Sequence, residues 1–373
     1  MRLTIERSAL LKSLAHIHSV VERRTTIPIL SNVLLRADDT GLGLTATDMD
    51  LAVQEQAPAD VSQAGSTTVA AHTLYDIVRK LPEGGQIEIR SGAEQGLLQL
   101  RCGRSNLKLA TLPSEDFPVM AEGDLPFGFA LPAATLAALI DRTRFAISTE
   151  ETRYYLNGIY LHAAKHNSAG VLRGVATDGH RLARVELPLP AGADGMPGVI
   201  VPRKAVQEVR RLLDDAQGDV HVALSDTKIR VGVGDTVLTS KLIDGTFPDY
   251  ERVIPFANDK VMRVNVKAFS QAVDLVSTIS TDKTRAVKLK LDKDTLVLSA
   301  TSPESGSAVE EIEVSYRDAP IDIGFNARYL LDIAQQIVGD DAQFVLADAN
   351  APTLVRDDDD PSAVYVLMPM RVG

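Results

Sequence analysis

This sequence predicts an α+β protein of three repeated domains, each with two helices and antiparallel sheets, and three recurrent strings are the reason. Leu44-Thr45-Ala46-Thr47-Asp48 returns as Val175-Ala176-Thr177-Asp178 and as Leu298-Ser299-Ala300-Thr301-Ser302, at intervals of 130 and 124. An amphipathic segment entered from a strand occupies 69–81, 201–213 and 325–338; aligning Ala71, Arg203 and Asn326 gives intervals of 132 and 123. An aromatic residue or methionine before proline recurs as Phe117-Pro118, Phe247-Pro248 and Met368-Pro369, at 130 and 121. One Thr-Asp pair is a weak signal, but three unrelated markers sharing a period are a strong one.

Each third opens with a helix. Leu10, Leu14, Ile17 and Val21 repeat at helical spacing, as do Leu136, Leu139 and Ile140, and then Phe269, Val273 and Val276. Alternating strands follow, and then a second helix with Leu74, Ile77, Val78 and Leu81 on its apolar face in the first copy and Val206, Val209 and Leu213 in the second. Two further strands close each third, at 86–90 with 97–101, 220–224 with 228–233, and 344–347 with 353–356. Turn-rich stretches at 122–126 and 254–259 bound the thirds, which gives domains 1–126, 127–254 and 255–373.

A chain of 373 residues exceeds a single core, and 45% apolar with 24% charged residues suits a folded globular protein. No apolar run approaches the ~18–20 residues of a membrane span, and the first ten residues lack a signal-peptide core, so a cytoplasmic protein with no membrane partner is expected. Cys102 is the single cysteine and the seven histidines are scattered, so neither a disulfide, a metal site nor a cofactor is expected. The formal charge of −11 argues against a protein that grips phosphate backbones. That charge is segregated, however. The helices predicted at 6–24, 72–81, 132–146, 202–215, 267–277 and 327–338 hold fourteen Lys/Arg against nine Asp/Glu, which leaves −16 for the rest. Arg203, Gln207, Arg210 and Arg211 lie opposite Val206, Val209 and Leu213, and Lys12, His16 and Arg23 behave similarly. Any one such face reads as solvated; six along one surface would attract a polyanion weakly and without sequence preference. The third domain contributes least, because Lys267 with Asp274 and Arg328 with Asp332 cancel.

The most enzyme-like string is Ala176-Thr177-Asp178-Gly179-His180-Arg181-Leu182. Glycine between Asp178 and His180 favours a turn joining two strands, or a binding rim, over an acid/base pair, and the first copy, Ala46-Thr47-Asp48-Met49-Asp50-Leu51, has no histidine. No nucleophile elbow and no phosphate-binding loop occur, and the four carboxylates from Asp357 to Asp360 read as a solvated, repelling loop. No catalytic residue is expected.

Six strings carry a resemblance. Arg153-Tyr154-Tyr155-Leu156-Asn157-Gly158, the 176–182 string, Val201-Pro202-Arg203-Lys204, Ser240-Lys241-Leu242, Phe247-Pro248-Asp249-Tyr250 and Tyr365-Val366-Leu367-Met368-Pro369-Met370-Arg371 together resemble the bacterial sliding clamps, the beta subunits of DNA polymerase III. The resemblance runs from the first helix to the last strand. It implies three domains of the DNA clamp fold forming half of a ring, and a homodimer that encircles duplex DNA with helices inward and acts as a processivity factor without catalysis. It also implies as partners the DNA polymerase III alpha subunit, the clamp loader and other clamp-motif proteins of replication and repair.

The resemblance assigns residues as well. A peptide groove is implied at Leu156, Thr177, Gly179, His180, Arg181 and Leu182, at Pro248, Arg252, Val253, Asn326, Tyr329 and Val345, and at Val366, Met368, Pro369, Met370 and Arg371. Its apolar members suit hydrophobic side chains, with His180 and Arg181 on the rim. Met368-Pro369-Met370 taken without the resemblance reads as core. Arg24, Tyr154 and Tyr155 match positions facing DNA, joined by the helix cations Arg203 and Arg210; the tyrosines alone are also compatible with ordinary packing. Arg104, Leu107 and Leu109 match one side of the dimer seam, and Ile279, Glu304, Glu310 and Glu311 the other. Thr284, Glu150 and Asn106 depart from the family pattern at an aromatic, a neutral polar and an arginine position.

Overall fold

The computed structural model describes residues 1–92, 96–121, 123–280 and 285–371. Thr284 and Glu122 lie outside the described residues. The chain packs as two compact units: Met1–Ala137 with Pro190–Pro197 and Lys204–Leu242, and Ala138–Leu189 with Gly198–Arg203 and Ile243–Gly373. The central third is thus divided between them, and strand pairing is the cause. In the first unit, a thirteen-stranded antiparallel sheet pairs Thr236–Lys241 of the central third with Leu51–Ala57 of the first, from Thr236↔Glu55 to Ser240↔Leu51. In the second unit, an eight-stranded sheet pairs Arg181–Pro188 with Ala363–Leu367, from Arg181↔Leu367 to Val185↔Ala363. A separate four-stranded sheet orders Gly306–Glu313, Thr295–Ser302, Ala286–Asp292 and Ile321–Asn326. Leu51 and Arg181 are equivalent in the repeat, so these two joints are copies of one arrangement.

Six helices are present among the described residues: α1 Arg7–Ile17, α2 Ala71–Lys80, α3 Ala133–Arg144, α4 Arg203–Leu212, α5 Val266–Ser277 and α6 Ala327–Ala334. Three, α1, α4 and α6, end before their apolar spacing predicts. Beyond Ile17 the chain tightens into turns, with Val20 N donating to Ile17 O and Val21 N to His18 O, which keeps both valines buried without a helix. Beyond Ala334, Gln336 N and Ile337 N likewise donate three residues back. The shorter bounds exclude Glu6, Glu22, Asp214 and Asp215 but only Arg23 and Arg24, so the helices are more basic than the sequence reading made them. The apolar faces do what the spacing requires: Leu10, Leu14 and Ile17 of α1 and Leu74 and Val78 of α2 are buried in the first unit, and Phe269, Val273 and Val276 of α5 in the second. Among the described residues, no helix is long and apolar enough to cross a membrane.

The acidic run at 357–360 is solvated only at Asp358 and Asp359, which are exposed. Asp357 is buried and accepts from the amides of Val338, Gly339 and Asp359, while Asp360 pairs with Arg142 at 2.5 Å. Main-chain donors left over after α6 need an acceptor, and Asp357 supplies it.

The first joint is bolted by one buried carboxylate. Glu55 accepts from Ser13 Oγ of α1 at 2.7 Å and from Thr236 Oγ1 at 3.0 Å, and its other close partner is His16 Nδ1 at 2.7 Å. His16 Nε2 also lies 3.4 Å from Asp215. The hydrogen bond to Glu55 holds the His16 pKa above its ordinary value, against the effect of burial. Burial alone would raise Glu55, but the bonds from His16 and Ser13 outweigh it and hold the carboxyl low. The signs follow from linkage: the histidine's contribution is complete below the ordinary imidazole range and is lost as pH rises through its raised pKa, while the carboxylate's is lost as pH falls through its lowered one. In thermal unfolding followed from pH 5 to 8, this pair's contribution to the midpoint therefore falls as His16 loses its proton, against the opposite trend of His18 and His162, whose pKa values burial lowers. His16→Gln removes that contribution, so its deficit relative to the wild type is about 1–3 kcal/mol at pH 5.5 and shrinks toward pH 8; parallel pH profiles for the two proteins would contradict the assignment.

Candidate functional site

The Thr-Asp marker of the repeat is a turn whose hydrogen bonds are nearly the same in the first two copies. Thr177 Oγ1 donates to Arg181 O at 2.7 Å and accepts from Gly179 N, while Asp178 Oδ1 accepts from the amides of His180 and Arg181. Thr47 and Asp48 bond Leu51 O, Met49 N, Asp50 N and Leu51 N in the same way. Gly179 has φ +88°, where a side chain is strained, and a Cβ there would lie 2.5 Å from the Arg153 guanidinium and displace it. Asp178 Oδ2 meanwhile accepts from Arg181 Nε at 3.1 Å. Both carboxylate oxygens are occupied by structure, which leaves nothing for acid/base work with His180.

Arg181 is not on a rim. It is 7% exposed, pairs with Asp332 of α6, donates to Phe145 O at 2.6 Å, and stacks its guanidinium 4.3 Å from the Tyr329 ring and 5.2 Å from Phe145. His180 stacks on the same Tyr329 ring, with centroids 6.3 Å apart. A guanidinium needs that many partners to be buried at all. Arg181 therefore fixes the turn to α6, and its main chain fixes the last strand: Arg181 pairs with Leu367, and Met368 N donates to His180 O at 2.8 Å.

The result is a slot of about 290 Å³ lined by Leu156, Thr177, Gly179, Arg181 and Leu182, by Pro248 and Val253, and by Val366 and Met368. Leu156 ends the short turn Glu151–Leu156, and Val253 ends Tyr250–Val253. Its floor is a buried apolar cluster that includes Leu156, Leu182, Val366, Phe247 and Val345. Met368 and Val253 are 40% and 46% exposed, so the slot presents apolar surface to solvent instead of closing over it. Arg153, Tyr155, Asp249 and Tyr250 also line it. The sequence reading gave Tyr155 to DNA and left the other three out, although Asp249 and Tyr250 sit inside the Phe-Pro string. At the mouth, the hydrogen bond from Arg153 holds Glu150 below its ordinary pKa.

The remaining groove candidates lie elsewhere. Val345 is beneath the slot in the cluster, and Tyr329 is under Arg181. Asn326 caps α6 by accepting from Arg328 N at 2.9 Å. Met370 N donates to Gly324 O, Arg252 pairs with Asp249 at 2.7 Å, and Pro369 and Arg371 follow the slot-lining Met368.

Register shows why this joint is apolar and the first is not. Thr239, Lys241 and Ala52 occupy the positions of Val366, Met368 and Leu182, and Lys241 is paired with Asp50 at 2.8 Å.

Two sheet edges stand apart from these joints. Ser105–Leu112 pairs along Leu97–Cys102, and on its other side only through Thr68↔Leu112 and Val69↔Thr111. Gly306–Glu313 pairs with Thr295–Ser302 alone among the described residues. Both strands show the same alternation of exposed and half-buried side chains, with nothing buried. Arg104, Leu107 and Leu109 lie on or beside the first edge, and Glu304, Glu310 and Glu311 on or beside the second; Ile279 follows α5. Of the DNA candidates, Arg24 and Arg203 are exposed and Tyr154 is 53% exposed; Arg210 bonds Asp214 at 2.5 Å. No group of three potential metal ligands exists among the described residues.

Comparison with known proteins matches all three thirds. Residues 1–121, 130–249 and 251–371 match the N-terminal, central and C-terminal domains of the DNA polymerase III beta subunit. The chain is 51% identical over 372 residues to the beta sliding clamp of Caulobacter vibrioides and 38% identical over 375 to that of Escherichia coli, with full coverage of both chains in each case. Its fold matches a crystal structure of the Caulobacter crescentus beta sliding clamp with TM-score 0.98 at 51% identity, covering 100% of this chain and 99% of that one. A Bartonella birtlesii sliding clamp solved with griselimycin matches with TM-score 0.97 at 52% identity, with full coverage of both. The chain therefore belongs to the beta sliding clamp family, the non-catalytic processivity subunits of bacterial DNA polymerase III holoenzymes.

Proposed function

We propose that two copies of this chain close head to tail into a ring around duplex DNA in the cytoplasm. The ring slides along the duplex and tethers the DNA polymerase III alpha subunit through the slot at Met368. The observation that carries this reading is the pair of free edges. At the two internal joints, the strand after a Thr-Asp turn pairs with the last strand of the next third. The same two strands of the outer thirds, Gly306–Glu313 and Ser105–Leu112, have no such partner among the described residues. A second copy supplies it. Glu304, Glu310, Glu311 and Glu313 on one edge complement Arg104 and Lys108 on the other, with Leu107, Leu109 and Val309 between them. Each chain offers one edge of each kind, so two heterologous seams close at two subunits. The domain boundaries proposed at 1–126, 127–254 and 255–373 put one joint between each successive pair of thirds.

Linkage then replaces affinity. A closed ring keeps duplex DNA without tight phosphate contacts, and weak contacts from Arg24, Arg203, Arg210 and the tyrosines at 154 and 155 permit sliding. Acidic surface outside the helices discourages binding elsewhere. A polymerase held in the slot by a short apolar peptide meets its template intramolecularly, at high effective concentration. The clamp loader and other proteins carrying such a motif compete for the same slot.

Three outcomes are expected. Light scattering gives a dimer mass for the wild type; replacing Glu310 and Glu311 by lysine shifts it toward monomer, and Arg104→Glu with Lys108→Glu in the other chain restores it. A dimer that ignores the reversal removes the seam. Loaded onto nicked circular duplex, the protein is retained, and cutting the circle releases it; equal retention on linear DNA would speak for affinity. Met368→Ala weakens a partner peptide about 10- to 100-fold with the dimer mass unchanged, and unaltered peptide affinity would remove the slot from this role.

A further inference from the structure

A second hollow, of about 400 Å³, opens in the first unit and shares no residue with the slot. It is lined by the segment Phe117 to Met120 and by side chains of Asn32–Asp38, Gly41–Thr47, Leu51–Ala57 and Thr236–Lys241. The repeat identifies the same place in the second unit position by position. Leu34↔Thr45 and Arg36↔Gly43 correspond to Tyr160↔Val175 and His162↔Arg173. Thr45↔Gln54 corresponds to Val175↔Arg184, and Phe117-Pro118-Val119-Met120 to Phe247-Pro248-Asp249-Tyr250.

In the second unit the part of that place around Tyr250 is filled, while Leu182, Pro248 and Asp249, the counterparts of Ala52, Pro118 and Val119, line the slot. Tyr250 is 5% exposed, and its hydroxyl accepts from Arg173 Nη1 at 3.1 Å and lies 2.9 Å from His162 Nε2, while Tyr160 stacks on Phe247 at 4.8 Å. In the first unit, Met120, Gly43 and Leu34 replace Tyr250, Arg173 and Tyr160. Each is smaller, and the volume they give up is the hollow. A Cβ on Gly43 would meet only the Gln56 amide at 3.2 Å and Arg36 O at 3.5 Å, so backbone crowding is not what keeps glycine there. Leu34, Leu44 and Val237 line the hollow.

We propose that the hollow is a second docking site on each chain, and that its ligand is a tyrosine side chain presented by a partner peptide. The occupant is read from the filled copy: a phenol ring fits this sheet face when a cation meets its hydroxyl. Arg36 stands in the position of His162 to donate that bond. The rim adds Asp38 and Asp235, whose charge complements a basic residue beside the tyrosine.

The test uses the full chain with N-acetyl-tyrosinamide as probe, read by the methyl resonances of Val119 and Val237. Saturable shifts with a dissociation constant on the order of 1–10 mM are expected. Met120→Tyr fills the hollow from within and weakens the probe about tenfold or more, and its thermal midpoint reports that it folds. Arg36→Gln keeps the hollow and makes N-acetyl-phenylalaninamide bind as well as the tyrosine probe, whereas the wild type prefers tyrosine. Shifts that never saturate, equal binding by Met120→Tyr, or no preference for tyrosine in the wild type would each overturn the proposal.

Discussion

Main-chain pairing between strands of successive thirds is the constraint on which the other features rest. An unpaired sheet edge carries donors and acceptors that must be met, and each met pair adds roughly 0.5–1.5 kcal/mol while fixing register absolutely, because a one-residue slip turns every side chain over. Thr236–Lys241 meets Leu51–Ala57, and Ala363–Leu367 meets Arg181–Pro188. Register then brings the turn at Thr177 beside the strand end at Met368, which is how residues nearly two hundred positions apart come to share one slot. The pairing also dictates what is left over. Among the described residues, three copies satisfy two joints and leave one edge of each kind.

Divergence between the copies decides what each joint offers. The backbone scheme is common, but Val366, Met368 and Leu182 give one joint an apolar slot where Thr239, Lys241 and Ala52 give the other an ion pair. The reverse holds one layer away. There the second third is packed with Tyr250, His162 and Arg173, and the first third is open at Met120, Arg36 and Gly43. Neither copy is simply degenerate.

Much of this was legible in the sequence, and for a physical reason. The turn marker, the helix period and the Phe-Pro strings report local geometry, and local geometry repeats when the fold does, so three α+β thirds could be read directly. Partnership across distance could not be read that way. Arg181 looked like a rim residue because arginine usually is one; its burial depends on Asp332, Phe145 and Tyr329, which only the fold gathers. Asp357 looked solvated because four carboxylates in a row usually repel; its three amide donors come from the chain beyond α6 and from its own turn. Tyr155 carries an aromatic ring that suits DNA or a peptide alike, and its place on the slot lining depends on where the fold sets the turn Glu151–Leu156.

The same gathering explains why the third domain is the weak contributor of positive charge. Asp332 lies on α6 and cancels Arg328, which on charge alone looks like a defect in a surface meant to face a polyanion. Yet Asp332 is what holds Arg181 in its buried position, and Arg181 holds the turn that shapes the slot. Replacing that aspartate to make α6 more basic would leave the buried guanidinium with Asp178 as its remaining counter-charge and one donor unmet, a loss of about 1–3 kcal/mol. A protein that kept DNA by affinity could not easily give up a cation there. One that keeps DNA by closure can, since a sliding contact gains little from one more phosphate bond, and the helix is then free to serve the peptide side of the molecule.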